Sequence, residues 1–317
     1  MFKKYPSITN HYHNKDINRF LQIHGDNLDD CMWNVTEKLH GANISFLVNV
    51  KDLDVKVFSR NNEITNSNFY NADSVINEFI DRIKNNITDS VMDFSEIEPF
   101  RLFGELFGSN VQKGVDYGQD KRINIFDAMI DDTFISQTSC KRLLHLLQLS
   151  DYFVPELAIY DKLSDAMEHN EIFNSKIPNK EPECINEAEG IVIKPYNKVL
   201  IDQNGSLFYI KKKNPKFAEK NKVKKPKNKT VYSTEVENYK NEFLSYINDN
   251  RMQSVFSKEG EIQSHKEIGK YIPKVLLDAQ DDFMKDNEID LDNFTKEERK
   301  YIFNASKEIV ELLKKYL

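Results

Sequence analysis

The stretch "WNVTEKLHGANISFLVNV", residues 33–50, shows most clearly how this chain begins to fold. Its two halves, 33–39 and 43–50, are rich in β-branched and aromatic residues, and such runs favour strands. A charged residue, Lys38, stands inside the first run, close to the glycine at position 41. It is either one of many surface lysines or the reactive group of an enzyme, and other stretches of the chain help to distinguish the two.

Length and composition indicate a globular protein large enough for two domains. The 317 residues can bury a full core, and the 21 Phe and 14 Tyr are too many for a disordered chain. No apolar run approaches the roughly 18 residues of a membrane span, and the first residues lack the apolar core of a secretory signal. Three widely spaced cysteines without a CxxC pair favour a reducing compartment. We therefore expect a cytoplasmic protein that does not span membranes, located in a host cell if its source is viral.

One block of positive charge lies in an otherwise acidic chain. Residues 211–229 contain ten Lys and one Glu, which gives +9, whereas the whole chain carries −7. The remainder of the chain therefore sums to −16. Such a block is either a solvated linker or a surface for a polyanion, because phosphate contacts dominate nucleic-acid binding. The charge by itself leaves both interpretations open.

Strands and helices are mixed over the first two-thirds of the chain. Apolar residues recur at helical spacing in 73–85 and 137–149, which predicts two amphipathic helices. The remaining apolar runs are short and rich in β-branched and aromatic residues, which predicts strands. These runs lie at 33–39, 43–50, 55–59, 101–108, 123–130, 190–195 and 207–213.

The character of the chain changes near residue 235, where amphipathic helices replace the mixed pattern. Thr295 and Glu298 are spaced for a capping box at the start of the last helix. We predict an α+β domain over residues 1–225, a Lys-, Pro- and Asn-rich linker at 226–234, and an all-α domain at 235–317.

The run "YIKKK", residues 209–213, places three lysines on a predicted strand. Because side chains alternate along a strand, Lys211 and Lys213 share one face and Lys212 points to the other. Two lysines on one strand face are unusual in a core. They suit a face that lines a phosphate site, where they would also disfavour protonation of a nearby reactive lysine.

Two glutamates stand on apolar strands. Glu105, in "RLFGELFG", lies between Phe103 and Phe107, where an unpaired buried carboxylate is costly. It either faces water on an edge strand or is held to bind a sugar hydroxyl or a metal. Glu189, in "EAEGIVIKP", either marks the start of a strand or supplies an oxygen ligand to Mg²⁺.

An arginine and a phenylalanine are further candidates for nucleotide binding. Arg60, in "FSRNNEI", carries a planar guanidinium that fits phosphate. Phe126, in "INIFDAMI", could stack on a base, although most phenylalanines in such runs are core residues.

Taken together, these stretches resemble a known set of motifs. In chain order, "EKLHG", "SRNN", "FGELFG", "NIFDAMI", "EGIVIKP" and "YIKKKNPKFAEK" resemble motifs I, Ia, III, IIIa, IV and V of the covalent nucleotidyltransferases. That superfamily includes ATP- and NAD-dependent ligases and mRNA capping enzymes. The chain is most similar to the RNA ligase 2 family, phage-type enzymes that seal double-stranded RNA and resemble the kinetoplastid RNA-editing ligases. The resemblance is weakest at 135–185 and in the last 50 residues.

This resemblance implies a fold and a covalent mechanism. The expected fold is an α+β, ATP-grasp-like nucleotidyltransferase domain of antiparallel sheets with flanking helices, followed by the all-α domain. Lys38 is the implied nucleophile, which attacks the α-phosphate of ATP and forms a lysine–AMP intermediate. Lys211 and Lys213 match lysines that contact that phosphate. A covalent lysine intermediate of this kind requires a neutral amine aligned with the leaving group.

The resemblance also implies roles for other positions. Glu105 matches a residue that contacts the ribose, and Phe126 one that stacks on adenine. Glu189 matches a residue that binds Mg²⁺ or Mn²⁺, and Arg60 one that contacts phosphate or ribose. Further implied contacts are those of Glu37, Leu39, Asn43 and Lys194 with the nucleotide, and that of Arg251 with RNA.

The function implied is ATP-dependent sealing of 3′-OH/5′-phosphate nicks in duplex RNA by a monomeric enzyme. DNA ligases and capping enzymes share the core motifs, but they normally continue into an OB domain, a small β-barrel. The helical pattern of the tail favours the RNA ligase branch over these two. A nucleic-acid-binding module without activity is a further alternative, although the intact lysines and carboxylates argue against it.

Overall fold

The computed structural model describes most of the chain as two units. It describes residues 3–65, 69–90, 97–177, 185–218, 232–287, 289 and 293–317. The units are Met1–Lys216 and Phe217–Leu317. Most of the linker predicted at 226–234, like the end of the "NPKFAEK" stretch, lies outside the described residues, so the boundary predicted at residue 225 stays a prediction.

The first unit contains two five-stranded sheets. The lysine sheet has the strand order β1-β10-β9-β2-β8, and the platform sheet has the order β4-β3-β5-β6-β7. In chain order the strands are β1 (Thr9–Asn10), β2 (Trp33–Glu37), β3 (Ala42–Asn49), β4 (Asp54–Ser59), β5 (Phe100–Phe107), β6 (Arg122–Ile130), β7 (Thr133–Phe134), β8 (Glu156–Tyr160), β9 (Gly190–Pro195) and β10 (Ile210–Lys213).

The two strands that flank Lys38 belong to different sheets. The strand β2 ends at Glu37 in the lysine sheet, and β3 begins at Ala42 in the platform sheet. Residues 38–41 therefore carry the chain from one sheet to the other. The lysine that stands out in the sequence lies at this junction.

Pairing within the sheets is mostly antiparallel, as expected. The strand β9 pairs antiparallel with both β2 and β10, and β5 pairs antiparallel with both β3 and β6. One pair differs from the expectation, because β1 runs parallel to β10 with Thr9 opposite Ile210. A strand of two residues leaves too little alternation to be recognised in a sequence.

Among the described residues of the first unit, four α-helices flank the sheets. They are α1 (Asn14–His24), α2 (Asp73–Thr88), α3 (Gln137–Leu146) and α4 (Leu163–Glu168). The apolar face of α2 packs on the platform sheet, with the Phe79 and Phe46 rings 4.6 Å apart. On the lysine sheet, Phe20 of α1 stacks on Phe208 at 4.7 Å. These contacts confirm the amphipathic pattern at 73–85.

The helix predicted at 137–149 ends earlier than expected. It stops at Leu146, because Gln148 adopts a left-handed conformation with φ of 53°. The amide of Leu149 then donates to the carbonyl of Leu144, which closes the turn. Leu147 and Leu149 are fully buried beyond the helix end, which explains why the apolar pattern continues.

The second unit is helical, as the sequence predicts. Its helices are α5 (Thr234–Ser245), α6 (Asp249–Glu259), α7 (Ile268–Asn287), α8 (Lys296–Ile302) and α9 (Ser306–Leu313). Phe243, Val275 and Phe283 lie at the centre of their shared core. The predicted capping box is present, with Thr295 accepting from the Glu298 amide and the Glu298 carboxylate accepting from the Thr295 amide, but it begins α8, because the predicted last helix is divided into α8 and α9. Nowhere in the described part of the chain is a helix both long and apolar enough to cross a membrane.

Candidate active site

A buried glutamate collects the reactive residues of the lysine sheet. One oxygen of Glu189, Oε2, lies 2.7 Å from Lys38 Nζ and 3.2 Å from His40 Nδ1. The other oxygen, Oε1, lies 3.1 Å from Lys213 Nζ. Glu189 is 4% exposed, whereas about a fifth of each lysine side chain reaches solvent. The arrangement places two amines around one carboxylate, each amine partly exposed to solvent.

Strand register explains why these distant residues meet. Gly190, directly after Glu189, pairs with Lys213, and Ile191 pairs with Glu37, directly before Lys38. The amide of Lys38 donates to the Gly190 carbonyl at 2.9 Å, which extends this pairing by one residue. The ends of β2, β9 and β10 therefore lie side by side and project these side chains in one direction.

Two glycines permit this close packing. Gly190 has φ of +145°, and a Cβ there would lie 2.2 Å from the Lys212 carbonyl oxygen. A Cβ on Gly41 would lie 2.1 Å from the Leu106 carbonyl oxygen. Any other residue at either position would push β10 or β5 away from the site. The glycines in "EGIVIKP" and "EKLHG" are therefore required by space.

Charge keeps Glu189 ionised despite its burial. Burial alone would raise its pKa, but the charges of Lys38, Lys213 and His40 hold the pKa of the Glu189 carboxyl well below its usual value. His40 is itself fixed, with Nε2 3.0 Å from the Lys113 carbonyl oxygen. Its amide donates to the Tyr117 hydroxyl at 2.9 Å.

The platform sheet contributes a carboxyl group, Glu105, whose pKa is raised whereas that of Glu189 is lowered. Glu105 pairs across β5 and β3 with Asn43, and burial raises the pKa of its carboxyl to about 8. The charge of Lys38 opposes this rise, and the charge of Glu189 adds to it. The charges of Lys38 and Glu189 thus both act on Glu105, although Glu105 belongs to the platform sheet. The sequence left open whether Glu105 faces water, and the structure places it, half-buried, at the junction.

The three successive lysines divide as strand alternation predicts. Lys213 reaches Glu189, whereas Lys212 turns to the other face and donates to the His169 carbonyl at 3.0 Å. Lys212 also lies 2.9 Å from the Glu171 carboxylate. Lys211 lies two residues before Lys213, so alternation puts both lysines on the same face of β10. Lys211 is half-buried.

Other predicted nucleotide contacts surround this junction. The charge of Arg60 acts on Glu105, and its guanidinium donates to the Ser7 hydroxyl at 3.3 Å. Leu39 is buried beside the candidate nucleophile. The Glu37 carboxylate is buried too, and it accepts from the Ser175 hydroxyl at 2.6 Å and the Lys176 amide at 2.7 Å. The side chain of Glu37 therefore holds a loop, and its amide donates to the Pro155 carbonyl at 2.9 Å.

Phe126 and Lys194 form a separate group around Asp127. Phe126 is half-buried, and the Lys194 amine donates to its carbonyl at 2.8 Å. Lys194 is 2% exposed and lies 3.2 Å from Asp127 Oδ2. The phosphate contact expected of Lys194 does not fit this position, because its charge is already compensated in the interior.

Arg251 also differs from its expected position. It was expected to contact RNA, but it is 1% exposed and lies inside the helical unit. Its Nη1 lies 2.6 Å from Asp278 Oδ2 and 2.8 Å from Asp282 Oδ2. Because the guanidinium ties α6 to α7 in the interior, we correct its role to a structural one.

Several residues of the site were not predicted from the sequence. His40 lies within "EKLHG" but suggested no role of its own. Asp127 adjoins Phe126, and its complete burial has no signal in a single sequence. Tyr5 and Tyr117 contact the site through their hydroxyl groups, from positions distant in sequence. Only the neighbours of recognised motif residues could have been singled out.

The site suits a divalent metal that relies on its substrate for further ligands. Within the described ranges, no cluster of three His, Cys, Asp or Glu side chains could hold a metal ion by itself. Mg²⁺ commonly takes one or two carboxylates together with phosphate oxygens and water. Glu189, which neighbouring cations hold ionised, fits that requirement.

Comparison with known proteins identifies the family. The RNA ligase family model matches residues 32–213, and the T4 RNA ligase 2 C-terminal model matches residues 229–311. An apo variant of Naegleria gruberi RNA ligase matches with a TM-score of 0.47 and 17% identity over 66% of this chain and 55% of that chain. A variant of the same enzyme with ATP and Mn matches with a TM-score of 0.47 and 16% identity over 68% of this chain and 56% of that chain. This chain therefore spans little more than half the length of the Naegleria enzyme. Since the RNA ligase model covers more than half of the chain, this protein belongs to the RNA ligase family.

Proposed function

We propose that this protein is an ATP-dependent RNA ligase that joins a 3′-OH to a 5′-phosphate at nicks in duplex RNA. The observation that carries the proposal is the meeting of Lys38, Glu189 and Lys213 within the region that the family model matches. We further propose that the protein acts as a monomer in the cytoplasm.

The first step forms a bond between Lys38 and AMP. The Lys38 amine attacks the α-phosphorus of ATP, the bond to the bridging oxygen breaks, and pyrophosphate leaves with the electron pair. The amine must lose its proton before or during this attack. Glu189 is a weak base because its pKa is held low, so we assign it to orienting the amine rather than accepting the proton.

In this proposal, the cations near Glu189 stabilise the charge that develops on the α-phosphate. Lys213 contacts the same carboxylate as the nucleophile, and Lys211 precedes it on the same face of β10. Such preplaced charges lower the barrier because they need no reorganisation during the reaction. A metal held by Glu189 would add charge neutralisation at the phosphate oxygens. We assign Arg60, whose charge acts on Glu105, to the ribose or a phosphate.

Two further steps would complete sealing. The 5′-phosphate of the RNA attacks the AMP phosphorus and displaces Lys38, which leaves an adenylated 5′ end. The 3′-OH then attacks the phosphorus of that end, and AMP departs. We assign duplex binding to the helical unit, on the basis of its match to the T4 RNA ligase 2 C-terminal model. The same match favours an RNA ligase over a DNA ligase or a capping enzyme.

The experiment that tests the function is sealing of a defined nick. The full chain is incubated with ATP, Mg²⁺ or Mn²⁺, and an RNA duplex carrying one 5′-phosphate nick, and the joined strand is resolved on a denaturing gel. We expect joining with RNA and little or none with an all-DNA nick. Efficient joining of DNA alone would reassign the substrate, and absence of joining with either would favour a binding module.

The Lys38→Ala variant separates the steps. It should fail to join a 5′-phosphate nick with ATP but should retain joining of a nick that is already adenylated, because the last step does not use the amine. If the variant sealed the ordinary nick with ATP, another nucleophile would have to be sought.

A further inference from the structure

Behind Phe126 lies a buried carboxylate with several donors around it. Asp127 is completely buried, and it accepts from the Tyr5 hydroxyl at 2.9 Å and from Lys194 Nζ at 3.2 Å. Gln137 Nε2 donates to its other oxygen at 3.2 Å, and the Tyr209 hydroxyl is a further partner. A buried carboxylate of this kind is costly unless it is satisfied in this way, and a satisfied network holds its neighbours in one arrangement.

Phe126 is the extra residue of a β-bulge. Across β5 and β6, Phe103 pairs with Asp127 and Gly104 pairs with Ile125, so the residue between them has no partner on β5. A bulge changes the direction of a side chain at the cost of local pairing. The Phe126 carbonyl is held instead by the Lys194 amine at 2.8 Å. The orientation of the Phe126 ring therefore depends on the group centred on Asp127.

Tyr5 contacts both parts of this arrangement. Its hydroxyl reaches Asp127, and its ring lies edge-on to Phe126 with centroids 5.0 Å apart. The same ring lies 5.1 Å from Phe103, and Tyr5 is 3% exposed. Aromatic pairs at such distances are favourable and directional.

The segment that carries Tyr5 also borders the lysine strand. Four residues later it forms β1, which places Thr9 opposite Ile210 and Asn10 opposite Lys211. The segment from Tyr5 to Asn10 thus connects the support of Phe126 to the strand that carries Lys213. This segment, outside the recognised motifs, therefore contacts the platform sheet through Tyr5 and the lysine sheet through β1.

We propose that Tyr5 is a positioning residue that fixes the Phe126 ring for stacking on the nucleobase, through its ring edge and through its hydroxyl bond to Asp127. The proposal rests on the proposed function, which assigns Phe126 to the adenine. Lys194 belongs to the same support, because it holds the Phe126 carbonyl and pairs with Asp127. Tyr5 needs no contact with the substrate for this role.

A double-mutant cycle in ATP binding tests the proposal. Full-length Lys38→Ala protein, which cannot form lysine–AMP, provides the background, and calorimetry gives the ATP dissociation constant. Tyr5→Ala should weaken ATP about tenfold, the size of a lost stacking contact. In a Phe126→Ala background the same change should cost less than about twofold, because residues that act through each other are not additive. Tyr12→Ala, two residues beyond this segment and 51% exposed, is the control and should leave binding unchanged.

The outcomes separate the inference from the proposed function. Equal weakening by Tyr5→Ala with and without Phe126, or no weakening at all, would overturn the inference. Should Tyr5→Ala fail to fold, Tyr5→Phe removes only the hydroxyl and should still weaken ATP a few-fold, again only when Phe126 is present. Transfer of label from ATP is measured in parallel on protein with Lys38 intact. If ATP binds but no label is transferred to the protein, the proposed function is overturned and the double-mutant cycle can still be measured. If ATP does not bind, both the proposed function and the inference about Tyr5 are overturned.

Discussion

Lys38 Nζ and Glu189 Oε2 lie 2.7 Å apart, although 151 positions separate the two residues in the chain. The other oxygen of the same carboxylate lies 3.1 Å from Lys213 Nζ. In this state the candidate nucleophile is held as one half of an ion pair. Nucleotide binding must therefore disturb the ion pair before the amine can react. Until then, Glu189 fixes the position of the Lys38 amine.

Replacing Glu189 by Gln should affect both labelling and stability. Without the carboxylate, Lys38 and Lys213 repel each other, so transfer of AMP should fall at least about a hundredfold. At neutral pH the free energy of unfolding should fall by about 2 kcal/mol. Because the folded pKa of Glu189 lies below its unfolded value near 4.5, this contribution exists above pH 4.5 and is lost as the pH falls further.

Chemical unfolding of both proteins from pH 3 to pH 8 measures this prediction. The two stability curves should converge at the acidic end and separate toward neutrality. A constant difference across the range would show that the charge of Glu189 is not the cause.

Replacing Glu105 by Gln should change the free energy of unfolding in the opposite direction to Glu189→Gln, stabilising the protein as the pH rises. The folded pKa of about 8 exceeds the unfolded value of 4.5, so between these values the folded protein keeps a proton that the unfolded chain releases. Wild-type stability therefore decreases as the pH rises from 4.5 to 8, and the variant avoids this loss. Because the side chain is only partly buried, we expect the variant to gain roughly 2 kcal/mol at pH 8.

Thermal unfolding at pH 5, 6.5 and 8 provides the measurement for Glu105. The midpoint difference between the variant and the wild type should grow with pH. A variant that is less stable than the wild type at pH 8 would contradict the raised pKa.

Lys213 and Lys212 form a matched pair on one strand. Lys213→Ala removes a cation from Glu189 and should lower AMP transfer at least about a hundredfold. Lys212→Ala removes contacts with His169 and Glu171 on the other face, and it should lower transfer less than about tenfold. Initial rates of label transfer compare the two, and equal losses would contradict the division of the strand into two faces.

Arg251→Ala should destabilise the helical unit. Removing the guanidinium takes the interior cation away from Asp282 and from Asp278, which keeps its contact with Lys258, and such a loss typically costs about 3–5 kcal/mol. Lys38 labelling should be unchanged, because these contacts lie within the second unit. Urea unfolding followed by circular dichroism measures the effect. Unchanged stability together with weaker RNA binding would restore Arg251 as an RNA contact.

Local patterns in the sequence predicted the core of the candidate site. The apolar runs at 33–39 and 190–195 predicted two strands, and the structure has them as β2 and β9, which are neighbours in the lysine sheet. Strand alternation alone placed Lys213 opposite in direction to Lys212, as the structure has it. These features depend on residues next to one another, which a single sequence displays.

Contacts between distant residues could not be predicted in this way. The burial of Arg251 depends on aspartates 27 and 31 positions later, and nothing in the stretch around it shows that α7 covers it. Tyr5 meets Asp127 across 122 positions. The bulge at Phe126 arises from cross-strand pairing, so the sequence showed the ring but not its support.

The most direct test of the account is to locate AMP on the chain. The full-length protein is incubated with ATP and Mg²⁺ or Mn²⁺, digested, and mapped by mass spectrometry, with Lys38→Ala treated in the same way. The account predicts one peptide that gains the mass of AMP, with the modification on Lys38, and no such peptide in the variant. AMP on another residue, or an unmodified Lys38 peptide with either metal, would contradict it.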